Sequence, residues 1–334
     1  MSIITPITIL LSLLLTFSDS DQPEESELHV LQEIPDGEEV FLQNPVSLVV
    51  EDQGNVNILD QHRPRLFRFD SDGNLQQSLG RSGAGPEEFD MPDYFAWDPV
   101  RNKFVIIDAG NRRFQIVDID RGTWQPEVLD QQIPRNYVAR DGNIYAFQVN
   151  NFAPADDLPL ITVSDYTGAV IDQFGEMLHY YDNNPAALSE VFIEWYDDHI
   201  YVLFRRFPMV RKYTLDGELV REMQLEVEDY EETSAHNRNP GNYQEGGGLW
   251  TLQLFRGFSV NDEGIFVTLT AQDNIGDGDI IFDHFDFNGQ HRNRFINNAE
   301  IEFISDSTVR LMDGELHFYV LHRSLENGVL VLQP

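Results

Sequence analysis

Asp52-Gln53-Gly54-Asn55-Val56-Asn57-Ile58-Leu59 joins a tight turn to an apolar run, and the pattern returns five more times along the chain. The later copies are Asn102-Lys103-Phe104-Val105-Ile106-Ile107, Asp141-Gly142-Asn143-Ile144-Tyr145-Ala146-Phe147, Asp198-His199-Ile200-Tyr201-Val202-Leu203, Asp262-Glu263-Gly264-Ile265-Phe266-Val267 and Asp313-Gly314-Glu315-Leu316-His317-Phe318. Glycine takes the positive φ that a hairpin turn needs, and β-branched and aromatic residues suit a pleated sheet. Each copy therefore reads as a turn leading into a strand.

A second turn follows each of the first five copies: Asp72-Gly73-Asn74-Leu75, Arg121-Gly122-Thr123-Trp124, Thr167-Gly168-Ala169-Val170, Asp216-Gly217-Glu218-Leu219 and Asn288-Gly289-Gln290. Two hairpins per unit make a four-stranded meander, and units recurring every 40–65 residues or roughly so are the mark of propeller blades. The sixth unit ends at Gly328-Val329-Leu330-Val331-Leu332, one strand short. An open edge invites pairing with other chains, and the apolar segment Leu28 to Ile34 is free to cover it. The expected fold is an all-β, six-bladed β-propeller of four-stranded antiparallel blades. An N-terminal strand completes the last blade and closes the ring, with no helix of consequence.

The chain has 334 residues and a net charge of −35, from 57 Asp and Glu against 22 Lys and Arg, and its only lysines are Lys103 and Lys212. Such a surface repels nucleic acid and anionic lipid, and excludes both as partners. Its acidity and scarcity of lysine match salt-adapted proteins, where ionic strength screens self-repulsion. With 41% hydrophobic and 12% aromatic residues the chain can still build a core. The absence of cysteine rules out disulfides, thiolate nucleophiles, Cys-ligated zinc, iron–sulfur clusters and a lipoprotein anchor.

Ile3 to Phe17 is an apolar run, followed abruptly by Asp19-Ser20-Asp21-Gln22-Pro23-Glu24-Glu25. It is shorter than the roughly 18–20 residues that span a bilayer and suits a signal-peptide core, although no Lys or Arg precedes it. The expected organisation is a signal peptide over 1–18, an acidic linker over 19–27 and a single propeller domain over 28–334. That places the protein in the periplasm or outside the cell, with no integral membrane span in the mature chain. A buried strand or a misplaced start codon is the alternative for the apolar run.

Gly80-Arg81-Ser82-Gly83-Ala84-Gly85-Pro86-Glu87-Glu88-Phe89, the following Pro92, and Ile107-Asp108-Ala109-Gly110-Asn111-Arg112-Arg113-Phe114-Gln115-Ile116 resemble NHL-type repeats. The whole chain is similar to the exported six-bladed, TolB-like or NHL-like propellers of bacteria. The resemblance implies a monomeric binding or interaction module. It also implies an alternative, because related propellers include metal-dependent lactonases and lyases with acidic, Asn or His ligands at the central channel. The NHL alignment places Asp60 and Arg65 level with Asp108 and Arg113, each read as an Asp–Arg pair tying two strands of one blade.

In a meander blade the second-to-third connections and the links to the next blade share one face, and that face holds every insertion. Loops on a rigid rim are where binding residues collect. Aligning the blades puts His62-Arg63, Arg112-Arg113, Arg205-Arg206 and His322-Arg323 on this rim, with Asp93, Arg135 and Arg256 at the mouths of inner strands. The candidate ligand-binding set is Arg135, Arg256, Arg205, Arg206, His62, Arg63, His322 and Arg323. Guanidinium groups grip carboxylate, phosphate or sulfate in bidentate fashion, so the expected ligand is a protein or peptide, a carbohydrate or an anionic small molecule. Alternatively each arginine pairs with an acidic neighbour.

Asp273-Asn274-Ile275-Gly276-Asp277-Gly278-Asp279 resembles a hard-cation loop, which makes Asp273, Asp277 and Asp279 candidate Ca2+ ligands, or else an acidic hairpin tip. The nine histidines show no ligand spacing, and no nucleophile elbow or Ser/His/Asp set is present. No reaction is named by the residues, and binding is favoured over catalysis. The alternative is a metal-dependent hydrolase or lyase with its site in the central channel.

Overall fold

The computed structural model describes residues 23–35, 40–128, 134, 136–147, 158–178, 188–239, 243–244, 248–249, 251–269, 279–298, 303–323 and 327–334. They form six blade sheets, each built on four antiparallel strands in sequence order except the last, and a two-stranded ribbon that pairs Tyr243–Gln244 with Gly248–Leu249. The innermost strands are Pro45–Val50, Pro92–Asp98, Asn136–Arg140, Val191–Tyr196, Phe255–Asn261 and Phe303–Met312. Each packs beside the inner strand of the next blade, and the sixth packs beside the first, so the ring is closed. The core lies between blades. Ile58 and Phe69 of blade one, for example, pack with Tyr319 and Val331 of blade six.

Closure follows the expected route. His29–Ile34 runs antiparallel to Gly328–Gln333 and becomes the outer strand of blade six. Leu28 and Ile34 are both 1% exposed, so the segment is fastened by apolar burial as well as by its ladder. The folded chain starts earlier than residue 28. Glu24–Glu27, read from the sequence as linker, pairs in parallel with His291–Asn297 on the edge of blade five. Burying Leu28 between blades five and six lays the preceding residues along that edge, and its exposed glutamates blunt the new edge against further pairing. The signal-peptide segment 1–18 lies outside the described residues.

The repeat turns use positive φ as expected, at +84° in Gly142 and +81° in Gly217. Where a copy lacks glycine, Asn102 (φ +51°) and Asp198 (φ +55°) take the same region, which Asn and Asp tolerate best among other residues. The helix Glu228–Asn237 departs from the all-strand expectation. It is anchored by Tyr230, which is 1% exposed, meets Phe255 edge-on and donates its hydroxyl to Asp283.

Of the two expected Asp–Arg pairs, blade two forms one. Arg113 Nε donates to Asp108 at 2.8 Å, while its other nitrogens donate to the carbonyls of Ala84, Gly85 and Glu88. In blade one Asp60 accepts the amides of Gln43, Asn44, His62 and Arg63 instead, and Arg65 donates to Ser78. The chain entering blade one runs close enough to saturate Asp60 with backbone donors, which leaves Arg65 to another acceptor.

Candidate functional site at the mouth of the central channel

The six inner strands surround an axial cavity of about 290 Å³. At three of the blade junctions a side chain on one inner strand accepts an amide of the next. Asn136 accepts from Ile193 at 3.0 Å, Ser259 from Val309 at 2.9 Å and Asp306 from Leu48 at 2.9 Å. Such bonds hold the channel wall rigid, and a rigid wall keeps the groups at its mouth in fixed directions.

On the loop-rich face, Glu190 lies just ahead of the inner strand of blade four and bridges two arginines. Its Oε1 is 2.9 Å from Arg205 and its Oε2 is 2.8 Å from Arg206. The Arg205 carbonyl accepts the amides of Leu254 and Phe255, which brings Arg256 to the same corner. Arg256 is half-buried over the Phe303 ring, 4.9 Å from its centroid, with no carboxylate in contact among the described residues. Arg205 stacks on Phe192 at 4.6 Å, and its Nε is buried without a hydrogen-bond partner among the described residues.

Burial lowers the pKa of Arg205, and the like charges of Arg206 and Arg256 lower it further against the pull of Glu190. Burial alone lowers that of Arg256. Both stay cationic, since guanidinium does not lose its proton in proteins. Three guanidinium groups thus share one contacting carboxylate among the described residues, and the corner holds a surplus of positive charge inside a strongly acidic protein.

The structure therefore brings together Arg205, Arg206 and Arg256 from the expected set and puts His62, Arg63 and His322 on other blades. His62 and Arg63 are exposed on the rim of blade one, where their backbone amides are engaged by Asp60. His322 is 8% exposed inside blade six, and burial lowers its pKa. Arg323 ends the same strand, and its side chain is not among those described. Arg135 lies outside the described residues, as do Asp273 and Asp277. Asp279 is half-buried ahead of Ile280–Phe285. No group of three or more His, Asp or Glu is placed to hold a metal among the described residues.

Sequence reasoning missed the ionisable residues of the channel itself. Glu194 sits inside the apolar inner strand of blade four, and Asp306 and Arg310 lie on that of blade six. Burial raises the Glu194 pKa to about 7, with Arg310 opposing and Asp306 adding to the shift. Burial raises Asp306 to about 6, against the amides of Leu48 and Ser307 and the charge of Arg205. Tyr94 is pushed up by burial and by both carboxylates. The available signal was a charge within an inner-strand apolar run, which a propeller tolerates only where the strand faces its channel.

Residues 37–184 match the family model described as DUF5128, a 6-bladed beta-propeller. NHL repeat-containing protein 3 of Homo sapiens is 34% identical over 84 residues, which are 24% of this chain and 24% of the human protein, as is the Mus musculus protein. The chain thus spans about a quarter of the length of the curated relatives it matches. Among solved structures, a Bacteroides fragilis protein described as exported superposes with a TM-score of 0.60 at 12% identity, covering 93% of this chain and 99% of that one. A structural genomics protein of unknown function from Bacteroides thetaiotaomicron follows at 0.54 and 13% identity, covering 92% and 75%. At such identities the likeness is one of fold.

Proposed function

We propose that this six-bladed, NHL-type β-propeller is a binding module that takes an anionic group, a carboxylate or sulfate, at the channel mouth on its loop-rich face. The observation that carries the reading is the arginine corner: Arg205, Arg206 and Arg256 converge there, and Glu190 is the one carboxylate in contact with them among the described residues. Hydrogen bonds to charged groups contribute about 1.5–3 kcal/mol each, and guanidinium groups held by stacking and by backbone bonds lose little entropy on binding. Desolvation strengthens the attraction, because the arginines are already partly out of water.

Arg135 belongs to the same proposal, because in the sequence it directly precedes the inner strand of blade three. Export is also part of it, supported by the apolar run Ile3 to Phe17 and by the likeness to a protein described as exported. Among the described residues no helix is long and apolar enough to cross a membrane. N-terminal sequencing of the mature protein tests this part, with a start near Asp19 expected and retention of Met1 against it.

Calorimetric titration with glutarate and with sulfate tests the corner. Arg256→Gln is expected to weaken binding about tenfold without changing the thermal midpoint, and the loss should shrink between 0.1 and 1 M salt as screening shortens. Unfolding of the variant with no ligand-specific effect would show that the arginine is purely structural.

A further inference from the structure

Below the arginine corner the sign of the channel reverses. Glu194 and Asp306 line the same cavity from blades four and six, two steps apart round the ring. Each is within electrostatic reach of the other. Asp306 is engaged by the Leu48 and Ser307 amides, whereas Glu194 has no hydrogen-bond or ion-pair partner among the described residues although the channel wall encloses it. Among the described residues the cation sharing this level is Arg310, which is on the same strand as Asp306 and forms no ion pair with either carboxylate. Two half-buried carboxylates against one half-buried guanidinium leave the level short of one positive charge when both are ionised. An unpaired enclosed charge is costly, and burial accordingly pushes the Glu194 pKa up to about 7.

We propose that the channel takes a zwitterionic small molecule, with its carboxylate on Arg205, Arg206 and Arg256 and its ammonium group between Glu194 and Asp306. The inference rests on the anion-binding reading of the mouth. It adds the chemical class of the ligand. A primary ammonium supplies the single missing charge and three donors, which Glu194, unpartnered among the described residues, is placed to accept. Beside the two levels Phe192 of blade four, on which Arg205 stacks, and Phe258 of blade five give a carbon stem apolar surface. A hard divalent ion fits less well, because calcium needs six to eight oxygen ligands and the level offers two carboxylates beside a fixed guanidinium. The three arginines do not line the cavity of about 290 Å³, but Arg205 is within electrostatic reach of Asp306, so the cavity has to hold only the ammonium end and the stem.

Matched pairs of probes test the proposal by calorimetry at pH 7.5: alanine against propionate, 4-aminobutyrate against butyrate and 6-aminohexanoate against hexanoate. At least one amino acid is expected to bind the wild-type protein tenfold or more tightly than its parent acid. Glu194→Gln should abolish that gain while leaving the parent acid unchanged, and Arg256→Gln should weaken both members of the pair. The wild-type comparison needs no variant, so the test survives a Glu194→Gln chain that does not fold.

If the parent acids bind through Arg256 but no amino group improves any of them, the zwitterion is wrong and the anion site stands. If neither member of any pair binds, or binding ignores Arg256, the mouth reading fails and this inference fails with it. Calcium chloride is the remaining probe. Calcium binding that requires Glu194 and displaces the amino acid would overturn the ammonium assignment in favour of a metal ion.

Discussion

Arg294 holds Asp283 by two points, with its Nε 2.8 Å from Oδ1 and its Nη2 2.8 Å from Oδ2. Asp283 is fully buried in blade five and also faces His291 Nε2 at 3.1 Å and the Tyr230 hydroxyl. Burial would raise its pKa, but the bonds from Arg294 and His291 outweigh that and hold it below the usual carboxylate range. This one carboxylate ties the outer strand of the blade and the helix to its third strand.

Asp283→Asn is therefore expected to destabilise the protein by about 3–5 kcal/mol, because it removes the charge of a fully buried carboxylate that Arg294, His291 and Tyr230 all engage. The depressed pKa stabilises the fold above the unfolded-state pKa, and that contribution is lost as pH falls through the folded value. Urea denaturation at pH 7 and pH 3 checks both points: the gap between wild type and variant should narrow in acid. An equal gap at the two pH values would place the loss in packing rather than charge.

Ring closure predicts a second effect. Removing residues up to Ile34 exposes the Gly328–Gln333 edge and uncovers the apolar cluster around Leu28, so the denaturation midpoint should drop for the whole domain. Leu28→Ala alone should cost about 2–5 kcal/mol, the range for a buried leucine. An unchanged midpoint in the truncated chain would contradict closure by this segment.

Salt is the third variable. With a net charge of −35, self-repulsion opposes the folded state, and screening shortens from about 10 Å at 0.1 M to about 3 Å at 1 M. Exposed ion pairs such as Arg101–Asp141 weaken over the same range, but each contributes only about 0–1 kcal/mol. Stability in sodium chloride should thus rise. A flat or falling profile would remove support for salt adaptation.

The fourth prediction concerns Glu194, whose pKa near 7 is above its ordinary value of 4.5. A carboxyl that keeps its proton longer when folded lowers stability as pH rises between those two values, by at most about 1.4 kcal/mol per pH unit. The groups facing it are Asp306 and Arg310 from blade six and Tyr94 from blade two. Asp306 titrates in the same direction at about 6, so it adds to the slope. Glu194→Gln should flatten the profile from pH 4.5 to 7 relative to wild type, measured by urea denaturation at each pH. Parallel profiles would show that Glu194 is solvated through the channel.

The repeating turns, the four-strand units and the missing outer strand were all legible before any coordinates, because each blade is a local meander whose hairpins are encoded by adjacent residues. Leu28 to Ile34 was legible for a related reason: one unit lacked a strand and one apolar segment lacked a unit. Arg205 and Arg206 were legible as rim residues from the strand ends alone. Their role was not, since their partner Glu190 follows a long connection and Arg256 comes from the next blade.

The Asp–Arg alignment marks the boundary most plainly. Asp60 with Arg65 and Asp108 with Arg113 occupy the same register positions in successive blades, as their sequence spacing requires. Only Asp108 pairs with its arginine, because the Gly80 to Phe89 loop folds over Arg113 with three carbonyls while the chain before blade one feeds its amides to Asp60. The channel charges belong to the same class. Asp306 accepts the amide of Leu48, 258 residues away, and Glu194 meets its electrostatic partners across the axis. Strand order, turn type and blade count follow from interactions a few residues apart and are determined by the chain read in order. The charge of a site built from six blades depends on the ring closing and on how long loops cross it, and only the tertiary structure decides that.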